Sequence, residues 1–211
     1  MIFAREIVFP PCSDDCALPK VFTLSGEDVK QEGTMLLEIQ ALITELEDRK
    51  SQLLKDLKSY SNDHLRFQPA PDRWSMLMAL QHIVLGEQGM RLTEAELRHN
   101  PVRLQLKPGN LFAVVMDVLE KDIPVAVPDP FVEPDGSRGL DDLIALWDLE
   151  RKLLCDLLEE VTGETVNDVM FSHPAAGPLD PVRTLQLAVA HFNTHRRQID
   201  RLRSETHKIE E

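Results

Sequence analysis

Two of the chain's histidines are spaced so that they could chelate one metal ion. His191 and His195 stand four residues apart in the segment Ala190-His-Phe-Asn-Thr-His-Arg. On an α-helix four residues turn by about 400°, so both imidazoles project from one face, one turn apart. Such a pair is a bidentate ligand for a divalent cation, because imidazole nitrogen is a common metal ligand.

The spacing alone is weak evidence. In a chain with 7 histidines, chance gives roughly 0.2 such pairs. Phe192 stands where the HExxH helix of a zinc protease carries its glutamate base, which excludes that class of enzyme. The same helix face carries Leu187, Ala188, Ile199 and Leu202, so the pair faces inward. A buried imidazole without a partner costs about 1–3 kcal/mol, and metal coordination would satisfy both rings.

A third histidine, His82, lies on the apolar face of another predicted helix, near Met78. A lone buried histidine is more often a core residue that is hydrogen-bonded to a neighbour. Three inward histidines on two helices favour a metal site instead. Gly86 and Gly89 follow within the same helix. Glycine inside a helix costs about 1 kcal/mol relative to alanine, so we expect these two to leave room beside His82 for a ligand.

Long amphipathic helices must position these histidines. Apolar residues recur at three- and four-residue steps, and caps or prolines mark the ends. The pattern predicts four helices, from about Glu27 or Thr34 to Tyr60, from Ser75 to about Asn100, from Leu140 to Val161, and from Pro181 to about Ser204. A short helix near Leu111–Lys121 interrupts a proline-rich crossover at residues 101–139. The fold class is therefore all-α, a four-helix bundle with a long Pro-rich crossover.

We divide the chain into an extended N-terminal arm, residues 1–25, and a metal-binding helical bundle domain, residues 26–211. The arm contains three prolines and no sustained periodicity. Its Cys12 and Cys16 could pair or bind metal, but no second Cys/His pair follows at zinc-finger spacing. Cys155 lies in an apolar helical run and is predicted to be a small core residue.

Charge and hydropathy exclude several classes of partner. The formal net charge is −13, and nucleic acids and anionic lipids are bound by surfaces rich in lysine and arginine. No window approaches 18 uninterrupted apolar residues, so neither a nucleic-acid nor a membrane partner is expected. Residues 1–10 lack a signal-peptide core, and we expect a cytoplasmic protein. The remaining partners are a small-molecule substrate and, as an open alternative, a second copy in a homodimer.

Four further polar residues are candidates for supporting roles. His173 lies in the loop before the last helix, where it is a candidate acid or base, although a structural role is the alternative. Gln198 or Asp200 could orient a ligand imidazole, or lie at the surface. Glu87 is rotated away from His82 and is expected to face solvent.

Taken in order, these segments resemble the DinB/YfiT-like superfamily of metal-binding helical bundles. The resemblance is carried by Trp74-Ser75 with His82 seven residues beyond Ser75, by Phe171-Ser-His-Pro-Ala-Ala-Gly-Pro-Leu-Asp, and by His191-xxx-His195-Arg-Arg-Gln-Ile-Asp-Arg-Leu. It covers roughly residues 30–205. The resemblance implies that His82, His191 and His195 are the metal triad of a four-helix bundle.

Three functions follow for such a site. Three neutral imidazoles leave a divalent ion, whether zinc, nickel or iron, with an open position, which is typical of catalytic sites. Relatives in the superfamily include thiol-dependent transferases and isomerases, so the resemblance implies a metal-dependent enzyme that activates a low-molecular-weight thiol toward a small electrophile. The alternatives are a metal-dependent hydrolase that uses water, and a non-enzymatic stress protein that binds a metal or a small molecule.

Overall fold

The computed structural model describes residues 28–99, 110–123 and 130–207. The predicted arm at residues 1–25, with Cys12 and Cys16, lies outside these ranges, as do two stretches of the crossover, 101–109 and 124–129. Cys155 is buried, as predicted. None of the helices in the described ranges is long and apolar enough to cross a membrane.

The described chain is a bundle of helices with one small hairpin, which confirms the predicted all-α class. The helices are α1 (Asp28–Leu57), α2 (Asn62–Arg66), α3 (Met76–His99), α4 (Asn110–Glu120), α5 (Leu140–Glu159) and α6 (Pro181–His207), with a 3-10 turn at Pro130–Val132. Strands β1 (Phe171–His173) and β2 (Gly177–Leu179) pair antiparallel between α5 and α6. The four long predicted helices correspond to α1, α3, α5 and α6.

The ligand-bearing helices lie side by side. Helix α3 packs against both α5 and α6, α1 packs against α6, and α4 lies on α6. The leucines and isoleucines predicted to face inward from α1 are buried, namely Leu36, Ile39, Ile43, Leu46, Leu53 and Leu57. Their burial packs α1 against α6, and close-packed apolar side chains resist sliding.

The two ligand-bearing helices begin at side-chain caps. The Ser75 hydroxyl accepts a hydrogen bond from the backbone N–H of Met78 (3.2 Å), as the sequence predicts for the start of α3. The carboxylate of Asp180 accepts one from the backbone N–H of Arg183 (2.8 Å) at the start of α6. A cap fixes the first turn and hence the rotation of all residues that follow.

The segment from Phe171 to Leu179, predicted to be a loop, is instead the hairpin of β1 and β2. Phe171 pairs with Leu179 and His173 with Gly177. Three-residue strands are too short to show alternation of apolar and polar residues, so periodicity could not reveal them. Gly177 has a φ of 77°, which favours glycine and lets the chain turn back.

Candidate metal centre

The three predicted histidines converge on one point. The Nε2 atom of His191 lies 2.9 Å from Nε2 of His82 and 3.1 Å from Nε2 of His195. In the part of the chain that the structure describes, these three side chains form the one group of three or more His, Cys, Asp or Glu residues close enough to share a metal ion. Helix α3 supplies one imidazole and α6 supplies two.

The rings of His82 and His195 are each held by a contact at Nδ1, the nitrogen that faces away from the centre. Nδ1 of His82 lies 2.6 Å from the carbonyl oxygen of Val132. Nδ1 of His195 lies 2.8 Å from the side-chain oxygen of Gln198. Both oxygens only accept hydrogen bonds, so each Nδ1 carries the ring proton and donates it. The prediction that Gln198 orients a ligand agrees with this contact, whereas Asp200 pairs with Arg196.

The positions of these protons leave the centre short of hydrogen-bond donors. With the protons of His82 and His195 on Nδ1, the Nε2 atoms of both rings are acceptors. A neutral His191 can place at most one N–H between them, so at least one lone pair has no proton to accept within the triad. A bound cation satisfies all three nitrogens at once, so the donor set fits a metal ion.

Burial keeps the three rings neutral. Desolvation lowers the pKa of His191 well below its usual value, with further lowering from His195, His82 and His173. Desolvation also lowers the pKa of His195 to about 4, and it lowers the pKa of His82. Only neutral imidazole can bind a metal, so the triad is ready to coordinate at neutral pH.

Close packing fixes the rings further. The indole of Trp74 stacks on the ring of His195, with centroids 5.8 Å apart, and lies against His82 at 4.9 Å. A Cβ atom at Gly86 would lie 3.3 Å from Cε1 of His191. The space left by Gly86, predicted for a ligand beside His82, is thus occupied by His191. At Gly89 a Cβ atom would make only ordinary contacts of 3.9 Å.

His173, the candidate acid or base, lies in the hairpin rather than among the ligands. Its Nδ1 accepts hydrogen bonds from the backbone N–H groups of Ala175 (3.1 Å) and Ala176 (2.9 Å). The neutral ring therefore carries its proton on Nε2. His173 is close enough to His191 to lower the pKa of that ring, and burial lowers its own pKa. At neutral pH it offers a hydrogen-bond donor.

Glu87, expected to face solvent, is buried, so that prediction was wrong. Its carboxylate accepts hydrogen bonds from Nε1 of Trp147 (2.9 Å) and from Nε and NH2 of Arg151 (2.9 and 2.6 Å). Glu47 binds the remaining side of that guanidinium at 2.6 Å. The sequence does show the partners, since Trp147 and Arg151 lie four residues apart on α5, but a helical pattern on α3 alone does not pair them with Glu87.

Comparison with known proteins assigns a family to the chain. The profile of the DinB superfamily matches residues 37–199, which include all three histidines and most of the bundle. No curated protein and no solved structure matches this chain. With the match extending over most of its length, the chain belongs to the DinB superfamily.

Proposed function

We propose that this protein is a metal-dependent enzyme that transfers a low-molecular-weight thiol to a small electrophile. The observation that carries the proposal is the shortage of protons among three converging Nε2 atoms. A buried polar cluster that served only for stability would have its hydrogen bonds completed within the protein. A cation would supply the partner that these nitrogens lack, which supports a functional site.

His82, His191 and His195 would hold the ion, and the chemistry of the donor set restricts its kind only in part. Three neutral imidazoles suit zinc, nickel and iron, and they leave the positive charge of the ion uncompensated. When bound, the ion would supply Lewis-acid chemistry, lowering the pKa of a thiol or a water molecule in the open position.

The proposed reaction is a substitution without a change of oxidation state. A thiol, R–SH, loses its proton to solvent, and the sulfur electron pair forms a bond to the electrophilic carbon of R′–X. The C–X bond breaks, and its electron pair leaves with X, which takes up a proton from solvent. The products are R–S–R′ and H–X. A free thiol has a pKa near 8.5, so a lowered thiol pKa is what makes the step fast at neutral pH.

The surrounding residues bind and orient. Val132 and Gln198 keep the rings of His82 and His195 turned toward the centre. Trp74 covers two of the rings with an apolar surface that limits the access of water. In this proposal His173 donates a hydrogen bond from Nε2 to the departing group X, whose developing negative charge such a donor stabilises.

The test begins with metal analysis of protein purified without an affinity tag. Metal-free protein is then loaded separately with Zn²⁺, Ni²⁺ or Fe²⁺ and assayed with several cellular thiols and with water against one panel of electrophiles. We expect thiol-dependent turnover that disappears in His82→Ala. The matched control is His64→Ala, which removes a histidine outside the triad and keeps activity.

Two outcomes would contradict the transferase. Turnover with water alone would make the protein a metal-dependent hydrolase. Absence of turnover with every nucleophile, on protein shown to contain one equivalent of metal, would favour a non-enzymatic protein that binds a metal or a small molecule. A requirement for His173 is tested separately with His173→Ala, which should lower turnover while metal content stays the same.

A further inference from the structure

The segment 130–139, here called the strap, crosses α3 directly beside a triad histidine. It is the part of the crossover that follows residue 129, and it begins with the turn Pro130–Val132. The carbonyl of Val132 meets Nδ1 of His82 at 2.6 Å. A hydrogen bond from the backbone N–H of Glu133 to the oxygen of Pro130, 3.2 Å long, closes the turn.

Gln81, the residue before His82, attaches the strap to α3 at a second place. Gln81 is buried, and its side-chain nitrogen donates to the carboxylate of Asp135 at 2.8 Å. Its side-chain oxygen accepts from the backbone N–H of Gly136 at 3.1 Å. One amide thus makes two hydrogen bonds to neighbouring residues of the strap, a geometry that fixes both distance and direction.

The Asp135 carboxylate is itself held in place. The same oxygen accepts from the backbone N–H of Ser137 (3.0 Å) and from its hydroxyl (2.8 Å). Gly136 has a φ of 69°, and Cγ of Met78 would lie 3.3 Å from a Cβ atom there. The strap therefore folds as a tight turn against α3, with only two residues between Val132 and Asp135.

We propose that Gln81 and Asp135 are positioning residues for His82. By holding the strap on α3, they keep the carbonyl of Val132 on Nδ1, which fixes the ring proton there and leaves Nε2 free to face His191. The hydrogen bond at one ring nitrogen decides which nitrogen carries the proton. Without the carbonyl, the proton can move to Nε2, where it blocks coordination.

The tautomer of His82 is a property of the metal-free protein and does not depend on the proposed function. The consequence for metal binding does rest on that function. Outer hydrogen-bond partners of metal-binding histidines typically change metal affinity by about 10–100-fold when they are removed. If these hydrogen bonds served only stability, their removal would lower the melting temperature without moving the ring proton of His82.

The experiment measures the tautomer of His82 by long-range ¹H–¹⁵N correlation in the metal-free protein, and the affinity for Zn²⁺ by competition with a chromophoric chelator. Gln81→Leu removes both amide contacts. Gln88→Leu is the matched control, since Gln88 lies on the same helix and donates to Glu150 of α5 at 2.7 Å rather than to the strap. Asp135→Ala and Asp135→Asn form a second pair, because the asparagine oxygen can still accept from Gln81 and Ser137.

We expect wild-type His82 to carry its proton on Nδ1. In Gln81→Leu and Asp135→Ala, a large fraction of it should move to Nε2, with Zn²⁺ binding about 10-fold weaker or more. Gln88→Leu and Asp135→Asn should match the wild type. If Gln81→Leu does not fold, the Asp135 pair decides. The proposal is overturned by an unchanged tautomer in Asp135→Ala, or by an equal change in Gln88→Leu. A shifted tautomer in a protein whose wild type binds none of Zn²⁺, Ni²⁺ and Fe²⁺ would support the positioning role and contradict the proposed function.

Discussion

Helix α3 takes part in two buried polar clusters of opposite character. His82 belongs to the triad, and Glu87, five residues later, belongs to a cluster with Arg151, Glu47 and Trp147. His82, Glu87, Arg151 and Trp147 are buried, whereas His191, His195 and Glu47 are partly buried. Yet one cluster is complete within the protein, whereas the other lacks protons for its nitrogen lone pairs.

The charged cluster is complete because each charge has its counterpart. The carboxylate of Glu87 accepts three hydrogen bonds, and the guanidinium of Arg151 is shared between Glu87 and Glu47. Their mutual attraction holds the pKa of Arg151 above its usual range although burial opposes the charge. The difference between the clusters indicates that the charged one stabilises the fold and that the triad could hold a metal ion.

The largest expected effect comes from breaking the complete cluster. Glu87→Ala leaves the Arg151 charge buried with one carboxylate, and removal of one partner of a buried pair costs about 3–5 kcal/mol. Metal-free His82→Ala should lose less than Glu87→Ala, because it removes one hydrogen bond to Val132 and an acceptor that was not fully satisfied, but leaves no buried charge. Urea denaturation of both metal-free variants measures the two losses. An equal loss in both would contradict the distinction drawn between the clusters.

The next prediction concerns how much a metal bound at the triad stabilises the protein. A metal that binds the native protein stabilises it by about 2.7 kcal/mol when its free concentration is 100 times its dissociation constant. Chelator should therefore lower the melting temperature of the wild type. His191→Ala should show no response to chelator, because it removes the nitrogen central to the triad, while His64→Ala should respond like the wild type. A response retained in His191→Ala would place the metal elsewhere.

The sequence was sufficient to predict the bundle and the triad for the same physical reason. Leu46, Leu53 and Leu57 repeat at helical spacing and are buried, and His191 and His195 share a helix face by that same spacing. Helical periodicity therefore reports both the core and any ligands that project from it. His82 required the additional step of placing a second histidine on an apolar face.

What the sequence did not show depends on contacts between distant segments. Nδ1 of His82 contacts the carbonyl oxygen of Val132, which lies 50 positions away in the chain. Every residue has a backbone oxygen, so the type of residue does not reveal this contact. Glu87 looked exposed because helix geometry rotates it away from His82, and only the packing of α5 supplies Trp147 and Arg151. The hairpin at Phe171 was too short for any periodic signal.

The third prediction concerns the pH dependence of stability that His195 of the triad contributes. The pKa of His195 is lowered to about 4 in the folded protein, against about 6.5 in the unfolded chain. Between these values the unfolded state binds a proton that the folded state does not, so stability is highest above pH 6.5 and falls as pH decreases toward 4.

For the metal-free protein, we expect His195 to contribute a loss of about 3 kcal/mol between pH 7 and pH 4. Carboxylates also titrate in this range, so the measurement is a difference. Urea denaturation of wild type and His195→Gln at each pH isolates the histidine contribution, and the variant should show the shallower decline. Parallel declines would mean that His195 is accessible to protons in the folded state.

The smallest effect concerns the approach of α6 to α3, and two glycines on one helix make it measurable. Replacing a glycine inside a helix by alanine stabilises it by up to about 1 kcal/mol. At Gly89 the new Cβ would make ordinary contacts of 3.9 Å with Phe131 and Val132, whereas at Gly86 it would lie 3.3 Å from Cε1 of His191.

Gly89→Ala should therefore gain stability and bind Zn²⁺ as the wild type does. Gly86→Ala should gain less stability, because the ring of His191 has to move by a few tenths of an ångström, and it should bind Zn²⁺ about 10-fold more weakly, a change of about 1.4 kcal/mol. Chelator competition on the two metal-free variants gives the ratio directly. Equal affinities would show that the triad tolerates displacement of His191, and the close approach at Gly86 would then be a matter of packing alone.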